Sequence, residues 1–224
     1  MNLLLNEALV FSRLMLNPVK FFQRINQLDW YKNTLRAWVD DLNPTTNAEV
    51  LELGCASGIL TEYLASRGYS TTGIDASEKM IKAALSLANR QADYQTADAK
   101  SLPFEDARFD TVVSASLLNI ISEPDKVMRE TARVCKQGGI VSVLSPKQGI
   151  SDAQITELIN ANCASGFSAA MLTTWHKRAP KLHPDAIVSW FHQAGMQIIR
   201  EHDYLGGMIT TVTGVKATTP VAQC

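Results

Sequence analysis

The sequence predicts an α/β chain built on a doubly wound, mostly parallel sheet, and three observations carry that prediction. Between residues 49 and 145, short apolar runs of strand length alternate five times with stretches of helical periodicity. The first run ends in a glycine turn, VLELGCASGIL, which leads straight into a helical pattern. Near the C-terminus, two alternating runs, MQIIREHDY and MITTVTGVK, are joined by only Leu205-Gly206-Gly207, so they form an antiparallel hairpin at the end of the sheet.

The elements follow in order. Leu4, Ala8, Phe11 and Met15 share one helical face, which reads as a helix docked on the domain rather than a lid, dimer arm or membrane anchor. Asn17-Pro18 is an N-cap followed by a first-turn proline and opens a second helix; a break near Asp29 starts a third, which Asn43-Pro44 stops. EVLEL is the first strand, and Ile59 to Ser66 a helix closed at Gly68. STTGID is the second strand. Ser77 caps the next helix, with Met80, Ile81, Ala84, Leu85 and Ala88 inward. ADYQTA and FDTVVSAS are strands three and four, Pro124 to Lys136 a helix, and Gly138-Gly139 a turn into IVSVL, the fifth strand. After Ser145-Pro146 come two helical patches, ISDAQITELINANCA and SAAMLTTWHK, and then a helix opened by His183-Pro184 and ended at Gly195.

Bulk properties exclude several classes. A chain of 224 residues that is 46% apolar and 19% charged can bury its own core. A formal net charge of -1 leaves no excess of cations for phosphates, so no nucleic-acid partner is expected; a small molecule is. Cys55, Cys135, Cys163 and Cys224 are at least 28 residues apart, which rules out a CxxC metal or redox motif and leaves no expected metal site. They read as free thiols of a cytoplasmic protein. No apolar run approaches the roughly 18 residues of a membrane span, and the N-terminus lacks the pattern of a signal peptide.

The glycine turn carries the chemistry. A strand that turns through glycines into a helix presents backbone N–H groups to a polar or anionic ligand. Asp75 lies 21 residues past Gly54, at the end of the neighbouring strand, where a carboxylate can grip a ribose diol. A dinucleotide fingerprint needs a third glycine where this chain has the bulky Ile59, which argues against a nicotinamide cofactor. The spacing Glu52-x-Gly54-x-x-x-Gly58 instead resembles the first motif of the class I S-adenosyl-L-methionine-dependent methyltransferases, with Ala56 at the family's usual middle glycine. GIDAS, ADAKSLPFEDARFDTVVS and RVCKQGGIVSVLSP resemble its later blocks, in order, and LPF followed by FD is common in the small-molecule branch that includes quinone-ring methyltransferases.

That resemblance implies a seven-stranded Rossmann-like sheet finished by the hairpin, and a single domain with four parts. Residues 1–44 are then a helical N-terminal lid, 45–145 the cofactor-binding core, 146–183 a cap over the substrate, and 184–224 the last helix and hairpin. It implies S-adenosylmethionine held by Glu52, Gly54, Cys55, Ala56 and Gly58, with Asp75 and Ala76 at the ribose and Asp98 and Ala99 at the adenine. Tyr31 or Trp30 is a candidate to close over the cofactor, and Asn119 falls where the family places a residue near the methyl group. The sequence SLLNII after strand four, in place of NPPY, argues against methylation of DNA bases.

Methyl transfer from a sulfonium is an in-line displacement that needs alignment and dryness, with a base only for some acceptors. His176, beside Trp175, is the candidate base; a surface histidine is the plainer reading. Phe167, Met171 and Trp175 line an acceptor pocket or serve as ordinary core contacts. The expected function is methyl transfer to a small molecule with an apolar or aromatic part. The alternatives are a cofactor-binding module without turnover, a nicotinamide oxidoreductase, and a reaction that uses the sulfonium in another way.

Overall fold

The computed structural model describes residues 16–217, so the expected first helix over residues 1–15 and the last seven residues, Cys224 included, lie outside the described residues. Two helices come first, α1 (Pro18–Ile25) and α2 (Asp29–Leu42). Asn17 caps α1 by accepting from the Lys20 N–H at 3.0 Å, and Asn43 ends α2 in the left-handed conformation. The core alternates as the sequence predicts: β1 (Glu49–Leu53), α3 (Ile59–Ser66), β2 (Ser70–Asp75), α4 (Glu78–Leu85), β3 (Asp93–Thr96), β4 (Phe109–Ala115), α5 (Pro124–Val134) and β5 (Cys135–Pro146). Then follow α6 (Asp152–Ala161), α7 (Gly166–Arg178), α8 (Pro184–Gln193), β6 (Met196–Tyr204) and β7 (Ile209–Lys216).

The seven strands form one sheet in the order β3-β2-β1-β4-β5-β7-β6. β7 runs antiparallel to both of its neighbours, and the remaining pairs are parallel. Chain order reverses at β1 and β4, so the turn that leaves β1 opens at a topological switch point, where ligands of doubly wound sheets bind.

Successive strand residues point to opposite faces, and both faces are dry. Leu51, Val112 and Val143 pack on one side with α5 and α8, against Val127, Met128, Ile187 and Phe191. Val50, Val113 and Leu144 pack on the other with α2 and α3, against Leu35, Trp38, Leu60 and Leu64. A third cluster lies beyond the sheet, where α1 and α2 meet α6 and α7 through Phe21, Ile25, Trp30, Ile155, Met171 and Leu172.

Several boundaries differ from the sequence expectation. α4 ends at Leu85, and Leu85 and Ala88, expected to face inward, are exposed because the helix stops before a further turn could bury them. β3 loses one residue at each end, spanning Asp93–Thr96. The helix expected to reach Lys136 ends at Val134, and Gly138-Gly139 lies inside β5 rather than before it. Phe109 pairs with Cys135 and Thr111 already pairs with Ile140, so residues 136–139 form an outward bulge. A Cβ on Gly139 would stand 2.9 Å from the carbonyl oxygens of Asp110 and Lys136, so the strand closes over a bare backbone there. Strand four ends one residue early because Ser116 takes a positive φ of 55°.

Candidate active site

The turn after β1 is built on left-handed residues: Gly54 at φ 72°, Ala56 at 46° and Gly58 at 85°. A side chain at Gly54 would meet Leu117 at 3.3 Å, and one at Gly58 would collide with the Tyr94 hydroxyl at 2.5 Å. Tyr94, which the sequence did not single out, crosses from β3 to donate to the Gly58 carbonyl at 3.0 Å and to Glu62 at 2.8 Å. Glu62 in turn accepts from the Gln91 N–H at 2.8 Å. The start of α3 is thereby tied to the edge of the sheet.

The expectation of open N–H groups is met only in part, because the turn satisfies several of them itself. The Cys55 N–H donates to the Ile74 carbonyl at 2.8 Å, Ala56 to the Asp75 carboxylate at 3.0 Å, and Gly58 to the Cys55 carbonyl at 2.9 Å. The second oxygen of Asp75 accepts from the Ser77 N–H at 2.8 Å. Asp75 is thus fixed at the end of β2, half-buried, with lone pairs to spare on both oxygens. Ala76 beside it is exposed. Asp98, at the end of β3, is exposed and accepts from the Lys100 N–H at 2.9 Å, while Ala99 is buried in the core.

Glu52 is 3% exposed, on the face of β1 that carries α2 and α3. Thr61 donates to it at 2.5 Å. Burial pushes its carboxyl up to about 7, the neighbouring Asp75 adds to this, and the Thr61 bond opposes it. Burial, with a smaller push from the Glu52 carboxylate, also raises the Tyr31 phenol, and Tyr31 packs against the cluster that holds Leu60 and Leu64 of α3. The Cys55 thiol is raised by burial and by the same two carboxylates, so it stays protonated. It packs under the turn against Gly73, where an added Cβ would sit 3.0 Å from the Cys55 Cβ and 2.9 Å from the Thr61 hydroxyl.

A cavity of about 300 Å³ opens beside the turn, between α1, α7 and the end of β4. Its walls include Phe21, Ile25, Tyr31, Met171 and Trp175, and Leu117, between its lining residues Ser116 and Asn119, lies against Gly54 of the turn. Trp175 meets the Trp30 and Tyr31 rings at 5.8 and 5.6 Å, and the Trp30 indole donates to Ser168 at 3.0 Å. Asn119 lines the cavity; its amide donates to the Pro180 carbonyl at 3.0 Å, and its Oδ1 has no partner among the described residues. Of the other candidates, Phe167 lies under the Arg24 guanidinium at 3.9 Å, outside the cavity wall. His176 shares a hydrogen bond with Asp152 at 2.9 Å through Nε2 and is not part of that wall. His183 caps α8 by accepting from the Asp185 N–H at 3.3 Å. Among the described residues no cluster of ligands could hold a metal, the three cysteines are unbridged, and no helix is long and apolar enough to cross a membrane.

Comparison with known proteins agrees with this geometry. Residues 51–143 match the model of a methyltransferase domain family. The ubiquinone biosynthesis O-methyltransferase of Coxiella burnetii is 28% identical over 153 residues, which are 67% of this chain and 64% of that protein. That of Paracidovorax citrulli is 36% identical over 115 residues, 49% of this chain and 48% of its own length. The chain thus spans less than two thirds of the curated relatives it matches. A solved structure of a SAM-dependent methyltransferase from Aquifex aeolicus superposes with a TM-score of 0.67 at 16% identity, over 89% of this chain and 97% of that one. Residues 51–143 thus resemble a methyltransferase domain, and the chain as a whole carries the fold of the S-adenosylmethionine-dependent methyltransferases.

Proposed function

We propose that the protein transfers a methyl group from S-adenosylmethionine to a small molecule with an apolar or aromatic part, of the kind that the quinone-ring enzymes among its relatives suggest. The observation that carries the proposal is the position of the apolar cavity. Ser116 and Asn119, from the loop after β4, line it, and Leu117 of the same loop lies against Gly54 of the turn at the switch point of the sheet.

The residues present fit the cofactor. Gly54, held at a φ of 72°, keeps the backbone at the end of β1 bare for close approach of the methionine part. The spare lone pairs of Asp75 suit a ribose diol, and the buried Glu52 carboxylate suits a cationic amino group, which would restore the charge that burial disfavours. Asp98 and Ala99 stand at the next strand end for the adenine, and Tyr31 closes the site from α2. When bound, the cofactor supplies an electrophilic methyl group on a good leaving group.

The chain's own work is then alignment and exclusion of water. The aromatic wall seats the acceptor, and α1, α2 and α7 shield it. Asn119 Oδ1 can accept a hydrogen bond from an acceptor hydroxyl, holding its oxygen toward the turn. Of the two residues proposed for catalysis, Asn119 borders the acceptor space and His176 stands behind the wall. In this reading α1–α2 act as a lid and residues 146–183 as a cap.

The test is incubation of a cell extract with the protein and trideuteromethyl S-adenosylmethionine, followed by mass spectrometry, with Asp75→Ala as control. A labelled small molecule that depends on Asp75 supports transfer. Tight cofactor binding without label from any acceptor-rich extract favours a binding module instead.

A further inference from the structure

The cavity wall holds one full charge, the Arg178 guanidinium at the last turn of α7, and no acid. Arg178 is exposed and makes no ion pair or hydrogen bond among the described residues. Three buried side-chain oxygens of the lining residues also lack partners: Ser116 Oγ, Asn119 Oδ1 and, one turn before Arg178 on α7, Thr174 Oγ1. The Asn119 amide is already oriented by its bond to Pro180, so its oxygen can only accept. Ser116 holds a positive φ of 55° to stand there, and a non-glycine residue in that region is strained.

Buried polar oxygens without partners cost free energy unless a ligand supplies the missing hydrogen bonds. A cationic ligand would have to leave water for a wall that offers a guanidinium and no carboxylate, whereas an anion would find its counter-charge at the mouth.

We infer that the acceptor is an amphiphilic anion: an apolar or aromatic body in the cavity, a hydroxyl or N–H donor at Asn119, Ser116 and Thr174, and one anionic group at Arg178. This rests on the cavity being the acceptor site of the reading above, and it sets the substrate class within that reading. Amines that are cations at neutral pH fall outside it.

A pair of fluorescent probes isolates the charge. 8-Anilinonaphthalene-1-sulfonate and N-phenyl-1-naphthylamine share an apolar body and differ in the sulfonate. The sulfonate probe is expected to bind the wild type with an affinity that falls as salt rises, and about fivefold more weakly to Arg178→Gln, as an exposed charge pair predicts. The neutral probe should bind both proteins alike, without salt dependence. Ala179→Trp, which fills the mouth from a half-buried position, should weaken both probes. Equal affinity of the sulfonate for wild type and Arg178→Gln, or binding that Ala179→Trp leaves intact, overturns the inference. Calorimetry with S-adenosylhomocysteine on the same samples separates the two levels. Failure of that ligand to bind would overturn the methyltransferase reading while the probe comparison still reports on the cavity.

Discussion

Glu52 is a carboxyl group in an apolar wall, held by one threonine and faced by Asp75. Its folded-state value of about 7 lies above the ordinary 4.5, so the folded protein keeps a proton there that the unfolded chain has released. The sign follows from linkage. The contribution to stability is whole below about pH 4.5, declines as pH rises through about 7, and is then level, a loss of about 3 kcal/mol in total. Glu52→Gln is a neutral isostere that cannot ionise. The variant and the wild type should therefore melt alike near pH 4.5, and above about pH 8 the variant should melt higher by about 5–10 °C. Thermal scans of the ligand-free proteins across this range check it; a constant difference between the two would remove the raised carboxyl. Asp75 acts by contact instead. Its oxygens are fixed by the Ala56 and Ser77 N–H groups, and Asp75→Ala should weaken S-adenosylmethionine about 10- to 100-fold by calorimetry, the value of a charge-assisted bond to a diol.

Between β1 and α3, the glycine turn owes its shape to a partner on another strand. Gly58 needs its φ of 85°, and the Tyr94 hydroxyl occupies the place of any side chain there. Gly58→Ala should cost about 3 kcal/mol, from left-handed strain and from overpacking against Tyr94. Tyr94→Phe should cost about 1–2 kcal/mol, through the bonds to Gly58 and Glu62. Because the two changes share one contact, Gly58→Ala with Tyr94→Ala should destabilise by less than the sum of the single changes in denaturant titrations, whereas additivity would show that the contact carries no energy. The glycines of this turn were legible in the sequence, since few residues accept that backbone. Tyr94 was not, because a tyrosine in a short edge strand gives no sign of where its hydroxyl goes. The same limit explains β5: Gly138-Gly139 is written like a turn, and only pairing with β4 shows it as a bulge within a strand.

Over the whole molecule, the sheet was readable because the central strands β1, β4 and β5 are buried on both faces and mostly apolar, and that pattern has few other solutions. The covering helices were readable as helices but not as a cavity. Met171 and Trp175 are four residues apart on α7, a spacing that serves a core and a pocket equally, and the space between them and Ile25 depends on how α1 docks from more than a hundred residues away. This division has a mechanical consequence. The α1–α7 cluster is distinct from the two clusters on the sheet and meets the one on the α2–α3 face through Tyr31, Trp175 and Leu205, which pack against both. The Trp30 indole bond to Ser168 fastens α2 to α7 from within it. A local opening between α1 and α7 would widen the cavity, and it needs less free energy than unfolding the sheet. Trp30→Phe keeps a ring in the cluster and deletes the bond, at about 1 kcal/mol. Hydrogen exchange should then quicken several-fold at the amides of α1, α2 and α7, with β1, β4 and β5 unchanged. If the strands quicken in the same proportion, the helices and the sheet open as one unit, and no local opening of this kind widens the cavity.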